Sequence, residues 1–135
     1  MYREASLCEQ YGHILGGKGV NENGVCSVNF QRRFPVKVQG HSAVHLDEVE
    51  LWFQLLDGGN ALNFGEVAVL QNELPGFTSL LLQQRIIVSA IHNHWIFTVP
   101  EILYVHFQSI EPPLNFARKV SHAFAALQNY PPRQW

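Results

Sequence analysis

The sequence predicts an α+β fold, a two-layer sandwich in which a mainly antiparallel sheet carries its helices on one face. Three observations support this. Apolar residues alternate with polar ones over 25–30, 48–56 and 101–110, the period of a strand. Other stretches, at 6–15 and 113–127, repeat their apolar residues at helical spacing. A strand pair followed by a helical stretch occurs twice, over 48–84 and 86–128, and two ββα units commonly share one sheet.

The elements follow in order. Over 6–15, Leu7, Cys8, Tyr11, Ile14 and Leu15 fall on one helical face. Ser6 is placed to cap the start, and Gly16-Gly17 ends the helix. Residues 18–24 read as a polar loop. Cys26, Val28 and Phe30 alternate with Ser27 and Asn29 as a strand. Pro35 breaks that run, 36–39 reads as another short strand, and 40–46 as a loop holding His41 and His45. The stretches 48–56 and 61–70 flank Asp57-Gly58-Gly59-Asn60 as a hairpin, since Gly-Gly suits the turns that match strand twist.

A two-residue turn at Gly58-Gly59 pairs Asp57 with Asn60. It sets Leu51, Phe53, Leu55, Leu62 and Phe64 on one face and Glu50, Trp52, Gln54, Asn63 and Val67 on the other. Glu66 then lands on the apolar face, which this register does not explain without a bulge at Gly65. A helix is expected from Glu73 to about Gln84, with Pro75 in its first turn. A second hairpin spans 86–97 and 101–110. The last helix opens at Pro112-Pro113 and carries Leu114, Phe116, Ala117, Val120, Phe124 and Leu127. One domain is expected over 1–128, with a loose tail over 129–135.

Composition narrows the function. The chain has 135 residues, 47% hydrophobic and 15% charged, with a formal net charge of −2. This composition argues for a packed core and against disorder. Basic residues are scattered, and the nearest approach to a patch is Arg32-Arg33 with Lys37, so nucleic-acid binding is not expected. No window has the length of a membrane span. The first residues lack the apolar run of a signal peptide, so a cytoplasmic location is expected, with Cys8 and Cys26 as reduced thiols.

The chemistry concentrates in one segment. His92 and His94 are two apart in a strand, so both imidazoles leave the same face. If paired residue numbers in the second hairpin sum to 200, His94 faces His106 and His92 lies diagonally across. Ala90, His92, His94, Tyr104, His106 and Gln108 then share a face away from the helices. Ile87, Ile91, Leu103, Val105 and Phe107 lie beneath them. Three imidazoles form a complete protein ligand set for catalytic zinc, with water as fourth ligand. His92, His94 and His106 are therefore the candidate metal ligands, for a divalent transition metal such as zinc. Trp52, Gln54, Asn63 and Tyr104 are the candidate ligand-binding residues beside them.

Other motifs fail. Gly16-Gly17-Lys18-Gly19 lacks the spacing of a P-loop, and no G-x-S-x-G elbow exists. Asp47, Glu48 and Glu50 read as an exposed acidic strand entry.

The run Ala90-Ile91-His92-Asn93-His94-Trp95, a proline, then Leu103-Tyr104-Val105-His106-Phe107 resembles the LppY/LpqO-type domain. The resemblance extends to Phe116-Ala117-Arg118-Lys119, Leu7-Cys8-Glu9-Gln10 and Gly24-Val25-Cys26, and covers about 6–128. That family includes mycobacterial lipoproteins and uncharacterised bacterial proteins, so the resemblance implies a bacterial domain with no established activity and no catalytic residues to transfer. Two departures stand out. This chain shows no export signal. Thr98-Val99 also precedes Pro100 where many relatives carry an acid, and Glu101 falls on the Leu103 face.

The leading reading is a domain that binds a small ligand, with or without a divalent metal, on a histidine-bearing sheet face. A metal-dependent hydrolase or lyase is the alternative, and a structural or interaction module is the third. Whether it is an enzyme is open, and homo-oligomerisation is compatible with all three.

Overall fold

The computed structural model describes residues 6–128. The tail expected at 129–135 lies outside the described residues. The elements run α1 (Leu7–Leu15), β1 (Val20–Glu22), β2 (Val25–Gln31), β3 (Val36–Val38), β4 (His41–Ala43), β5 (Glu48–Leu55), β6 (Ala61–Leu70), α2 (Leu74–Gln83), β7 (Ile87–Asn93), β8 (Thr98–Val99), β9 (Ile102–Glu111) and α3 (Pro113–Ala123). Six strands form one antiparallel sheet in the order β1-β2-β5-β6-β9-β7, and three form a small sheet in the order β4-β3-β8. The α+β class and the placement of the helices against the large sheet are as the sequence predicts.

The first helix starts where Ser6 stands. Its side chain accepts from the Glu9 N–H while Glu9 reaches back to the Ser6 N–H, which closes a capping box. Gly16 ends it in the left-handed conformation, with its N–H donating back into the last turn. Two expected loops contain strands: β1 within 18–24 and β4 within 40–46. Both are only three residues long and mostly exposed, so no apolar alternation announces them.

The helices seal one face of the large sheet. Tyr11, Leu15, Phe77, Leu81, Phe116, Val120 and Phe124 meet Val28, Leu51, Phe53, Val67, Val105 and Phe107 in one buried core. Its aromatic rings make edge and stacked contacts, among them Tyr11–Phe53 at 4.7 Å and Phe77–Phe107 at 5.9 Å. Gly65 lies in β6 against the Phe107 ring, leaving no room for a Cβ.

Cys8 and Cys26 were expected as reduced thiols; they are joined, tying α1 to β2. Disulfides persist in oxidising compartments, which is at odds with a reduced pair in the cytoplasm. No helix among the described residues is long and apolar enough to cross a membrane.

Arg32 is no part of a basic patch. It is 1% exposed and forms a buried two-pronged ion pair with Glu73, at 2.9 and 2.6 Å. It also donates to the carbonyls of Ala68 and Gln128. The parity of β2 carries Arg32 to the helix side, in line with Val28 and Phe30.

The first hairpin differs in register from the two-residue turn. Leu55 pairs with Ala61 and Leu51 with Gly65, joined by a longer connection with a 3₁₀ turn over Asp57–Gly59. The Leu56 N–H donates to the Asn60 carbonyl and closes that loop. A shift of one residue exchanges the faces of β6. Asn63 and Val67 therefore point into the helix side and are buried, while Glu66, Phe64 and Leu62 join Glu50, Trp52 and Gln54 on the opposite face. No bulge at Gly65 is needed.

The second hairpin keeps the expected even parity with a longer connection. His92 pairs with Tyr104 and Ala90 with His106, rather than His94 with His106. The connection is longer because β8 leaves the large sheet to pair with β3. A bulge between Val88 and Ala90 changes parity at the start of β7, so Val88 packs on the core and Ile87 is exposed on the far side.

Candidate functional site

The face of the large sheet opposite the helices is only partly covered. The small sheet packs there at one end, where Val36, Ala68, Ile102 and Tyr104 are buried with Phe34, Val38 and Leu46 beside them. Beside that cover, cross-strand pairing aligns Asn29, Glu50, Glu66, His106 and Ala90 in one row across five strands. The next row holds Ala68, Tyr104 and His92. Acids on β5 and β6 thus stand beside imidazoles on β9 and β7.

A cleft of about 140 Å³ opens here, lined by Glu48, Glu50, Glu66, His45, His94, Trp95 and Tyr104. Among the described residues neither Lys nor Arg lines it. Burial first, then the charges of Glu66 and Glu48, push the Glu50 carboxyl above its ordinary range. Tyr104 donates its hydroxyl to the Leu46 carbonyl at 2.8 Å, and burial chiefly, with nearby acids, pushes its pKa up to about 12. The hydrogen bond to Leu46 fixes the Tyr104 ring as a wall of the cleft. Gln31 Nε2 donates to His45 Nδ1 at 2.6 Å and orients that ring.

His92 and His106 share the face by strand alternation, and His94, just beyond the end of β7, reaches the same side in the cleft wall. His92 and His106 pair through their Nε2 atoms at 2.9 Å, with ring centroids 4.8 Å apart. His92 Nδ1 lies 3.2 Å from the Asn93 carbonyl. Both contacts are satisfied when His92 carries its proton on Nδ1 and His106 donates from Nε2. His94 lies 5.8 Å from His92, ring to ring, and packs instead against Trp95 at 4.5 Å and Tyr104 at 4.7 Å. Among the described residues, no group of three or more His, Cys, Asp or Glu side chains is gathered as a metal site requires.

Of the predicted ligand-binding residues, Tyr104 lines the cleft. Trp52 and Gln54 share its face but sit toward the hairpin turn, where Trp52 stacks on Phe64 at 5.4 Å. Asn63 is on the opposite face, where its amide donates to the carbonyls of Ala61, Ser109 and Glu111. Sequence reasoning missed Glu66 and His45. The Glu66 misfit was the available signal, because a one-residue register shift resolves it; His45 sits in a loop with no periodicity to place it.

A larger groove of about 450 Å³ runs on the helix side between α1 and α3, with Ile14 and Leu114 among its walls and Glu9 and Arg118 at its rim. It gathers little chemistry beyond one charge of each sign and a lone imidazole.

The family model described as a domain of unknown function (DUF1259) matches residues 9–126, and the chain belongs to that family. No curated protein and no solved structure matches it significantly.

Proposed function

We propose that this domain binds a small ligand in the cleft on the open face of the large sheet. The observation that carries this reading is a group of acids, Glu48, Glu50 and Glu66, beside imidazoles and aromatic walls, with neither Lys nor Arg lining the cleft among the described residues. Like charges across strands cost stability, and such costs concentrate where a site must bind something. Tyr104, His94 and Trp95 wall the ligand, with Trp52 and Gln54 toward its rim. The family is read here as the LppY/LpqO type, on the His92-Asn93-His94 segment. The Cys8–Cys26 bond favours an oxidising compartment over the cytoplasm.

A second reading, a metal-dependent hydrolase or lyase, rests on the His92–His106 contact. Two imidazole nitrogens on one tetrahedral zinc stand roughly 3.3 Å apart, close to the 2.9 Å separation of these two. Among the described residues no third donor is gathered beside them, so Glu66, across from His106 in the register, would have to swing in to complete the set.

The test is a thermal-shift screen of metabolites and divalent metals on the wild type and a His92→Ala/His94→Ala variant, with elemental analysis of protein purified without a His tag. Ligand binding expects compounds that stabilise the wild type and not the variant. Stoichiometric metal lost in the variant selects the second reading. No stabiliser of any kind contradicts both and leaves a structural or interaction module.

A further inference from the structure

Among the described residues β7 ends the six-stranded sheet, with β9 as its one neighbour. Its outer backbone groups therefore face solvent, the usual template for another strand. Edge strands are normally blunted by charge, proline, bulges or shortness. The opposite edge follows that rule: β1 is three residues long and ends in Glu22. β7 has only a bulge near its start. No charged residue lies between Arg85 and Glu101 in the sequence.

The same segment gathers exposed apolar side chains. Ile87 is 58% exposed and Ile91 44%, and the connection after β7 adds Ile96 at 69% and Phe97 at 70%. Ile91 borders the edge on the helix side and Ile87 on the histidine side, so apolar surface flanks it on both faces. The bulge between Val88 and Ala90 interrupts the edge, so Ala90–Asn93 is the straight portion.

We infer that β7 is a self-association edge, on which a second copy of this chain pairs antiparallel through the same strand. The partner's identity follows from charge and symmetry. An uncharged strand meets its own copy with no like charges opposed, and an isologous two-fold contact needs one self-complementary surface. Antiparallel pairing of identical edges sets the two-fold axis normal to the sheet. The two helix layers then lie on one side and the two histidine faces on the other. Ile91 of each copy is covered from the helix side of the seam and Ile87 from the histidine side. His92 of each copy stands near the joint. This inference is independent of what the cleft binds.

Sedimentation velocity of the chain across a wide concentration range tests it, with Ile91→Lys, Phe97→Ser and the control Leu82→Lys, an exposed position on α2. The expected result is a dimer for wild type and Leu82→Lys. Ile91→Lys is expected to be a monomer with an unchanged near-ultraviolet dichroism spectrum, and Phe97→Ser a weakened dimer. If Ile91→Lys does not fold, Ile87→Ser, an exposed position in the same edge strand, decides. A wild type that stays monomeric at every concentration overturns the inference, as does a dimer unmoved by a folded edge variant. Equal dissociation by Leu82→Lys also overturns it.

Discussion

The two faces of the large sheet treat their acids in opposite ways. On the helix side Glu73 is buried, yet its carboxylate receives two guanidinium N–H groups from Arg32 and backbone N–H groups from Leu70 and Gln128. Burial pushes its pKa up, but the Arg32 hydrogen bond, those two N–H groups and the Arg32 charge outweigh it, and the net shift is down. On the open side Glu50 stands beside Glu66 and Glu48, neither Lys nor Arg lines the cleft among the described residues, and its pKa is up. One acid is part of the architecture. The other carries a cost that packing does not explain and that the proposed ligand site would account for.

Breaking the compensated side gives the largest effects. Glu73→Gln leaves the buried Arg32 without its counter-charge, and unfolding in urea is expected to show a loss of about 3–5 kcal/mol. The double variant Cys8→Ala/Cys26→Ala, or reduction of the wild type, releases a loop of sequence separation 18. It is expected to cost about 3 kcal/mol in the same measurement. Gly65→Ala forces a methyl against the Phe107 ring and is expected to cost about 1–3 kcal/mol.

The open side should respond with the opposite sign. Glu50→Gln removes a like-charge contact across β5 and β6, and is expected to raise stability by about 0.2–1 kcal/mol at neutral pH. The pH dependences should also oppose. Glu73 has a lowered folded pKa, so its contribution is full above the unfolded value of about 4.3 and is lost as pH falls through the folded value. Glu50 has a raised folded pKa, so the native state holds its proton longer. Stability is then lost as pH rises from the unfolded value through the folded one. Urea titrations from pH 3 to 8 should show the Glu73→Gln variant without the acid-side loss and Glu50→Gln without the alkaline-side loss.

What was legible follows the same division. The helix side was readable because it is set by apolar periodicity, and Leu7, Tyr11, Phe116 and Val120 each announce a face. The open side depends on register, which periodicity constrains only through parity. In the second hairpin the apolar partition fixed the parity, so His92, Tyr104 and His106 fell on the expected face despite a longer connection. In the first hairpin Gly58-Gly59 mimicked a two-residue turn, while the chain uses a 3₁₀ turn, and Asn63 and Glu66 exchanged faces. The Arg32–Glu73 pair joins residues 41 apart in sequence, and no local pattern links them.

The two faces also offer rival cavities, the acid-and-imidazole cleft and the larger groove between α1 and α3. The most direct measurement is an amide chemical-shift map of the labelled protein with the strongest stabiliser from the metabolite screen. Binding on the open face predicts perturbations at Glu50, Glu66, His94, Tyr104 and His106. Perturbations confined to His13, Ile14, Leu114 and Arg118 would contradict it.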